Sequence, residues 1–324
     1  MNHLLEVKDL KTYFRIKAGE VKAVDGVSFT ISKGESLGLV GESGCGKTTT
    51  ALSVIKLLPD NGYIADGQII FDGKDITHAK DEDLYDFRWT EMSMIFQGAM
   101  NALNPVQKVS DQIMEALFLH YPHITKEEAL AKVEQLFELV EIDPKLMHGY
   151  PHEFSGGMRQ RAIIAMALSC DPKLVIGDEP TTALDVMVQA QIINLINDLR
   201  TKLQMSLLMI THDLSIITEV CDRIAVMYAG KIVELGSTQE VVTHFLHPYT
   251  EKLIGAFPNI YKERKMVDSI PGDPPDLFDP PPGCRFAPRC TECIQGLCDE
   301  VEPELLEVRP AHYVACHRRK ADHE

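Results

Sequence analysis

Gly41-Glu42-Ser43-Gly44-Cys45-Gly46-Lys47-Thr48 fits the pattern G-x-x-x-x-G-K-[ST], and it follows directly on Ser36-Leu37-Gly38-Leu39-Val40, an apolar run of strand length. A strand that feeds a glycine-rich turn and then a helix leaves few folds open to the chain. Backbone N–H groups converge at the helix start, where the dipole adds positive potential, and together they take an anion such as phosphate. Gly41, Ser43, Gly44, Cys45 and Gly46 shape that cradle, Lys47 neutralises β/γ-phosphate charge, and the Thr48 hydroxyl, with Thr49 behind it, stands where Mg2+ would be held. A glycine turn with a chance lysine is the bland alternative. The succession of strand, loop and helix argues against it.

The rest of the first 250 or so residues alternates β-rich and amphipathic helical runs, which predicts an α/β domain on a largely parallel sheet. Leu174-Val175-Ile176-Gly177-Asp178 and Leu207-Leu208-Met209-Ile210-Thr211 read as further buried strands. Open α/β sheets bind ligands at the C-terminal ends of such strands. There Asp178 is placed to hold Mg2+ through water, and Glu179 to orient or deprotonate an attacking water. Thr125 to Ile142 carries apolar residues at Ala129, Val133, Leu136, Phe137 and Val140 behind a Thr125/Glu128 capping box, the pattern of one amphipathic helix. Ile224–Tyr228 and Lys231–Leu235 flank Ala229-Gly230 as a hairpin.

Phe154-Ser155-Gly156-Gly157-Met158-Arg159-Gln160-Arg161 resembles the LSGGQ signature of ABC ATPases, although Phe and Met stand where Leu and Gln are common. Other landmarks of that family follow in order: Gln97 in Ile95-Phe96-Gln97 resembles the Q-loop, Ala183-Leu184-Asp185 the D-loop, and His212 in Thr211-His212-Asp213 the switch histidine. The resemblance implies a phosphate-loop ABC cassette, with a RecA-like core and antiparallel β and helical subdomains. It also implies two cassettes packed head to tail, with ATP between them. Glu179, His212 and Gln97 then act on the nucleotide and water in cis, Gln97 joining Thr48 and Asp178 at Mg2+, while Ser155, Gly156, Gly157 and Asp185 act across the interface. Adenine would stack on Phe14 or Tyr13, neighbours in one strand. Cys45, at a helix N-terminus beside Lys47, is expected to favour its thiolate and to block ATP binding when alkylated.

Six of the twelve residues from Pro271 to Pro282 are proline, which excludes helix or paired strand there. The expected division is therefore a cassette over 1–258, its helical subdomain at about 98–170, and a connector plus Cys-rich extension over 259–324. The extension looks too short to bury much core, so its cysteines are expected to order it. Cys284-Arg285-Phe286-Ala287-Pro288-Arg289-Cys290, with Cys298, Pro303, His312 and Cys316-His317, resembles the C-terminal extension of dipeptide and oligopeptide permease ATPases, as do Phe87-Arg88 and Asn101-Ala102-Leu103-Asn104-Pro105. That resemblance implies a [4Fe-4S] cluster on Cys284, Cys290, Cys298 and Cys316, with Cys293 a possible substitute. Zinc is the alternative, because Cys290-x-x-Cys293 is also a zinc half-site.

A formal net charge of −16 disfavours nucleic acid and anionic lipid as partners. No run of apolar residues is long enough to span a bilayer, so coupling to transport must pass through contacts. The implied partners are two transmembrane permease subunits, a second related ATP-binding subunit and, indirectly, an extracytoplasmic peptide-binding protein, which places the chain on the cytoplasmic face of the membrane. An importer of nickel or another small solute, and a soluble non-transport ABC ATPase, are the competing expectations.

Overall fold

A computed structural model describes residues 3–98, 102–182, 184–255 and 270–320. Asn101 and Ala183, each within a motif noted above, lie outside the described residues. The chain opens with β1 (His3–Ile16), β2 (Gly19–Ser32) and β3 (Ser36–Val40), then α1 (Lys47–Val54), β4 (Gly62–Phe71), β5 (Lys74–Asp75) and α2 (Asp81–Tyr85). Next come β6 (Met92–Ile95), α3 (Val109–His120), α4 (Lys126–Leu139), α5 (Gly156–Ala167), β7 (Leu174–Asp178), α6 (Val186–Leu203) and β8 (Ser206–Ile210). They are followed by α7 (Leu214–Val220), β9 (Arg223–Tyr228), β10 (Lys231–Ser237), α8 (Thr238–Thr243) and α9 (Pro248–Gly255), and the tail adds β11 (Leu306–Arg309) and β12 (His312–Val314). Two compact units result: one from the described parts of Met1–Ile31, Ser36–Thr77 and Ile210–Glu324, the other from Ser32–Glu35 and His78–Met209.

The first unit holds an antiparallel sheet in the order β2-β1-β4-β5 and a second strand set in the order β11-β12-β10-β9-β3. β3 runs parallel to β9, from Leu37↔Arg223 to Val40↔Val226, and all five of its residues are buried, as a strand covered on both faces requires. β9 turns into antiparallel β10 through Ala229 and Gly230, whose φ values of 47° and 82° are those of a primed hairpin turn. The tail then extends the same strands: β12 pairs antiparallel with β10 through Glu234↔Val314 and Leu235↔Tyr313, and β11 pairs with β12. This corrects the expectation that cysteines alone order the extension. Phe286 is 1% exposed against Tyr228, Tyr249 and His247, and His312 meets the fully buried Glu234 at 2.7 Å, so packing and strand pairing order it.

In the second unit β6 runs parallel to β7, from Met92↔Leu174 to Ile95↔Gly177, and β8 is the other neighbour of β7. The capping box forms as expected: Glu128 N–H donates to Thr125 Oγ1 at 3.2 Å, and Thr125 N–H donates to the Glu128 carboxylate at 2.8 Å. Behind it Ala129, Val133, Leu136 and Phe137 are buried, the larger of these contributing about 1.5–3 kcal/mol each. The helix stops at Leu139, short of Ile142, because Glu141 takes the left-handed conformation with φ 58°. Among the described residues no helix is long and apolar enough to cross a membrane.

Candidate functional site

In the first unit the glycine-rich loop joins the end of β3 to α1. Gly46 sits at the start of α1 with φ 107°, and a Cβ there would lie 2.4 Å from the Ala23 carbonyl oxygen, so only glycine lets the loop turn this tightly. Lys47 is 6% exposed and folds back over the loop, its Nζ donating to the carbonyls of Gly41 at 2.7 Å and Glu42 at 2.9 Å. A phosphate oxygen offers this ammonium a charged acceptor in place of two neutral ones. Ser43, Gly44 and Thr48 are exposed and Thr49 is half-buried, so the loop presents its mouth to solvent while its base is packed.

Cys45 departs from expectation. It is 4% exposed, and burial pushes its thiol above the ordinary range, outweighing the pull of Lys47 Nζ at 3.6 Å. Burial thus opposes the reactive thiolate that the neighbouring lysine suggested.

Tyr13 and Phe14, the two aromatic residues expected to offer a stacking surface, differ in direction. Along β1 side chains alternate, and Thr12, whose hydroxyl is 2.8 Å from that of Ser53 on α1, shares its face with Phe14. Tyr13 points to the other face, donating its hydroxyl to Asp25 at 2.8 Å and meeting Tyr63 edge-on. The alternation thus puts Phe14 on the side of the helix that leaves the glycine-rich loop. His212, also in this unit, is exposed two residues beyond β8.

In the second unit Asp178 ends β7 and is 2% exposed, while Glu179 turns out of the strand with φ 47°. Gln97, just past β6, donates its amide to Glu179 Oε2 at 2.8 Å, and Thr182 Oγ1 donates to the same oxygen at 2.9 Å. Neighbouring parallel strands therefore deliver the two side chains to one place, which their separation of 82 residues in sequence conceals. Ser155 caps α5, accepting from Met158 N–H at 3.3 Å, and Gly156 and Gly157 begin that helix. A Cβ on Gly157 would stand 2.8 Å from Val188 Cγ1, so the absence of a side chain lets α5 approach α6. Asp185 caps α6 through Val188 N–H at 3.0 Å, and the next two residues, Val186 and Met187, are 80% and 74% exposed.

In the tail, Cys284, Cys290, Cys298 and Cys316 line one small cavity of about 20 Å³ together with His247 and His317. Cys293 does not line it and instead donates to Asp299 at 3.7 Å. Burial pushes the Cys284 thiol up to about 12, with the neighbouring thiols of Cys298 and Cys316 adding to the rise. Among the described residues no group of three or more His, Cys, Asp or Glu side chains is arranged to hold a metal ion. The donor chemistry nevertheless suits a thiolate-bound metal, and binding one would displace these thiol protons.

Sequence reasoning missed Arg285 and Arg289. Arg285, 6% exposed, pairs with Asp25 and donates to the Ala229 carbonyl; Arg289, 7% exposed, pairs with Glu42. The available signal was two arginines four apart among tail cysteines in a strongly acidic chain, where a buried cation requires an acidic partner.

Residues 24–182 match the family described as ABC transporter, and residues 233–298 match the oligopeptide/dipeptide transporter C-terminal region. The chain is 47% identical over 318 residues to the oligopeptide transport ATP-binding protein OppD of Bacillus subtilis, spanning 97% of this chain and 88% of that one. It is 45% identical over 319 residues to the dipeptide transport ATP-binding protein DppD of the same organism, spanning 98% and 95%. For OppD of Escherichia coli the identity is 44% over 315 residues, spanning 97% and 92%. Among solved structures, a dimeric ATP-binding cassette in a post-hydrolysis state with ADP and Pi matches with a TM-score of 0.64 at 22% identity, over 72% of this chain and 98% of that one, a likeness of fold. CbiO1 of Clostridium perfringens, part of an ABC transporter complex, gives a TM-score of 0.64 at 26% identity, over 75% and 92%.

Proposed function

Because the chain belongs to the ABC transporter family, in its oligopeptide and dipeptide transport ATP-binding branch, we propose that it is the ATP-hydrolysing subunit of an importer of short peptides. Its place is the cytoplasmic face of the membrane, bound to two permease subunits and a second, related cassette. ATP–Mg2+ rests on the Gly41–Thr48 loop, with Lys47 on the β/γ-phosphates, Thr48, Asp178 and Gln97 about the Mg2+, and Phe14, favoured over Tyr13 by the strand alternation, against adenine. Glu179 activates water and His212 stabilises the transferred phosphoryl group. Ser155, Gly156, Gly157 and Asp185 meet the nucleotide of the partner cassette. The exposed apolar pair Val186 and Met187 beside Asp185 supports such a contact.

The hydrogen bond from Gln97 to Glu179, at 2.8 Å, is the observation that carries the hydrolytic part of this reading. It lets the Q-loop side chain hold the carboxylate that must turn to water once γ-phosphate arrives. Close to Gln97 in sequence, a groove of about 800 Å³ lined by Trp89, Asn104, Gln112, Phe118, Leu119 and Met166 suits the cytoplasmic helix of a permease. We take residues 1–258 as the cassette, with its helical part at about 98–170, and 259–324 as the extension, a boundary that lies outside the described residues. In that extension Cys284, Cys290, Cys298 and Cys316 would hold a [4Fe-4S] cluster, or zinc, as a structural centre that ties the tail together when bound.

Purification of the intact complex, followed by ATP turnover with and without peptide, tests the proposal. Co-purifying permease subunits and stimulation by di- or oligopeptides are expected. Stimulation by nickel alone would redirect the substrate, and co-purifying ribosomes or DNA would refute transport.

A further inference from the structure

Glu42 is the only acidic residue inside the glycine-rich loop, where it adds a negative charge to a segment suited to bind an anion. Every polar group of this residue is engaged. Its N–H donates to the Tyr249 hydroxyl at 2.9 Å, and its carbonyl accepts from Lys47 Nζ at 2.9 Å and from Cys45 N–H at 3.3 Å. Its carboxylate is gripped on both oxygens by Arg289, at 2.6 Å and 3.0 Å.

Arg289 comes from the far end of the chain, 247 residues later, and all five of its N–H donors are accounted for. Nε donates to the Pro271 carbonyl at 2.8 Å, Nη2 to the Ile270 carbonyl at 3.3 Å as well as to Glu42, and Nη1 to the Tyr228 hydroxyl at 3.2 Å as well as to Glu42. The side chain is 5% exposed, against 27% for Glu42, so the cation is fixed and screened from water. The same turn of the tail lays Phe286 against Tyr249, whose hydroxyl holds the Glu42 amide. One short segment therefore braces the loop through both the side chain and the backbone of a single residue.

We infer that Arg289 is a positioning residue for nucleotide binding: the C-terminal extension is a built-in part of the phosphate site, cancelling the charge of Glu42 and fixing the loop that carries Lys47. The inference rests on the Gly41–Thr48 loop being the ATP site. Without Arg289, the Glu42 carboxylate would stand uncompensated within the glycine-rich loop and the loop would lose an anchor.

Titration of the full-length chain with ATP and with ADP, both Mg2+-free and Mg2+-loaded, tests this. Arg289→Ala is expected to weaken ATP binding about tenfold, the scale of one unpaired charge at near-surface dielectric, and to weaken ADP binding less. Arg289→Lys keeps the charge but not the two-pronged grip, and should lose about threefold. In a Glu42→Gln background the further loss from Arg289→Ala should shrink to within about twofold, since the charge to be cancelled is gone. Full ATP affinity in Arg289→Ala would overturn the inference, as would an equal loss with and without the Glu42 carboxylate. If Arg289→Ala does not fold, Arg289→Lys with normal ATP affinity would overturn it instead. Lys47→Ala serves as the reference: unimpaired ATP binding in that variant would refute the loop assignment itself, a different failure.

Discussion

Replacing Glu234 by Ala should open the tail without unfolding the cassette. Glu234 lies on β10, is fully buried, and accepts from three donors: Leu246 N–H at 2.7 Å, His247 N–H at 2.9 Å and His312 Nε2 at 2.7 Å. Alanine leaves all three without an acceptor. An orphaned buried donor costs about 1–3 kcal/mol, and partial hydration of the space left behind limits the sum to about 3–5 kcal/mol. At about 1.4 kcal/mol per decade, this corresponds to about 10²- to 4 × 10³-fold more frequent local opening. The Ala315 amide reports it, because it donates to Val233 on β10 at 2.9 Å and is released when the tail strand lifts. Native-state hydrogen exchange should show that amide accelerated by this factor in Glu234→Ala, and by about tenfold or less in Glu234→Gln, which keeps one acceptor oxygen. Exchange of Ala315 within about threefold of wild type in the alanine variant would refute the claim that buried hydrogen bonding, rather than cysteine chemistry alone, holds the tail to the strand set.

Glu179→Gln should lower ATP turnover by about 10²- to 10³-fold while ATP binding persists, as a filter-binding assay beside a phosphate-release assay would reveal. Alkylation of Cys45 at neutral pH should be at least about 10²-fold slower in the native chain than in the unfolded one, because burial raises its thiol; peptide mapping measures the rate, and fast labelling would contradict this. Gly157→Val should destabilise the second unit by about 1–3 kcal/mol, read by thermal melting, since even a Cβ meets Val188 Cγ1 at 2.8 Å. Serine in place of Cys284, Cys290, Cys298 or Cys316 should abolish bound iron or zinc in anaerobically purified protein, while Cys293→Ser should retain it, as metal analysis and visible absorbance would show.

Local signals made much of the fold legible. The Thr125/Glu128 box, the apolar spacing behind it and the Ala229-Gly230 turn act within a few residues, and each formed where its chemistry required. The glycine-rich loop was equally plain, since its steric demand is written into the glycines themselves. What sequence could not convey was contact between distant segments. Nothing near Glu42 announces Arg289, and although family resemblance assigned Gln97 and Glu179 to one site, their direct hydrogen bond emerges only when β6 and β7 lie side by side. Cys45 misled because a helix N-terminus and a neighbouring lysine are visible in sequence, whereas the burial that overrides them is not. The tail misled similarly: its proline run and short length suggested an appendage, yet two brief strands suffice once an existing strand offers its edge.

On the proposed reading, nucleotide held on the Gly41–Thr48 loop of this chain, and covered by the serine-glycine helix start of a second cassette, drives transport. Peptide-stimulated ATP hydrolysis by the reconstituted transporter tests it most directly, with Lys47→Ala and Ser155→Arg introduced in this chain and equivalent replacements in its companion. Turnover should fall to the level of empty liposomes. Hydrolysis at the wild-type rate would contradict the account.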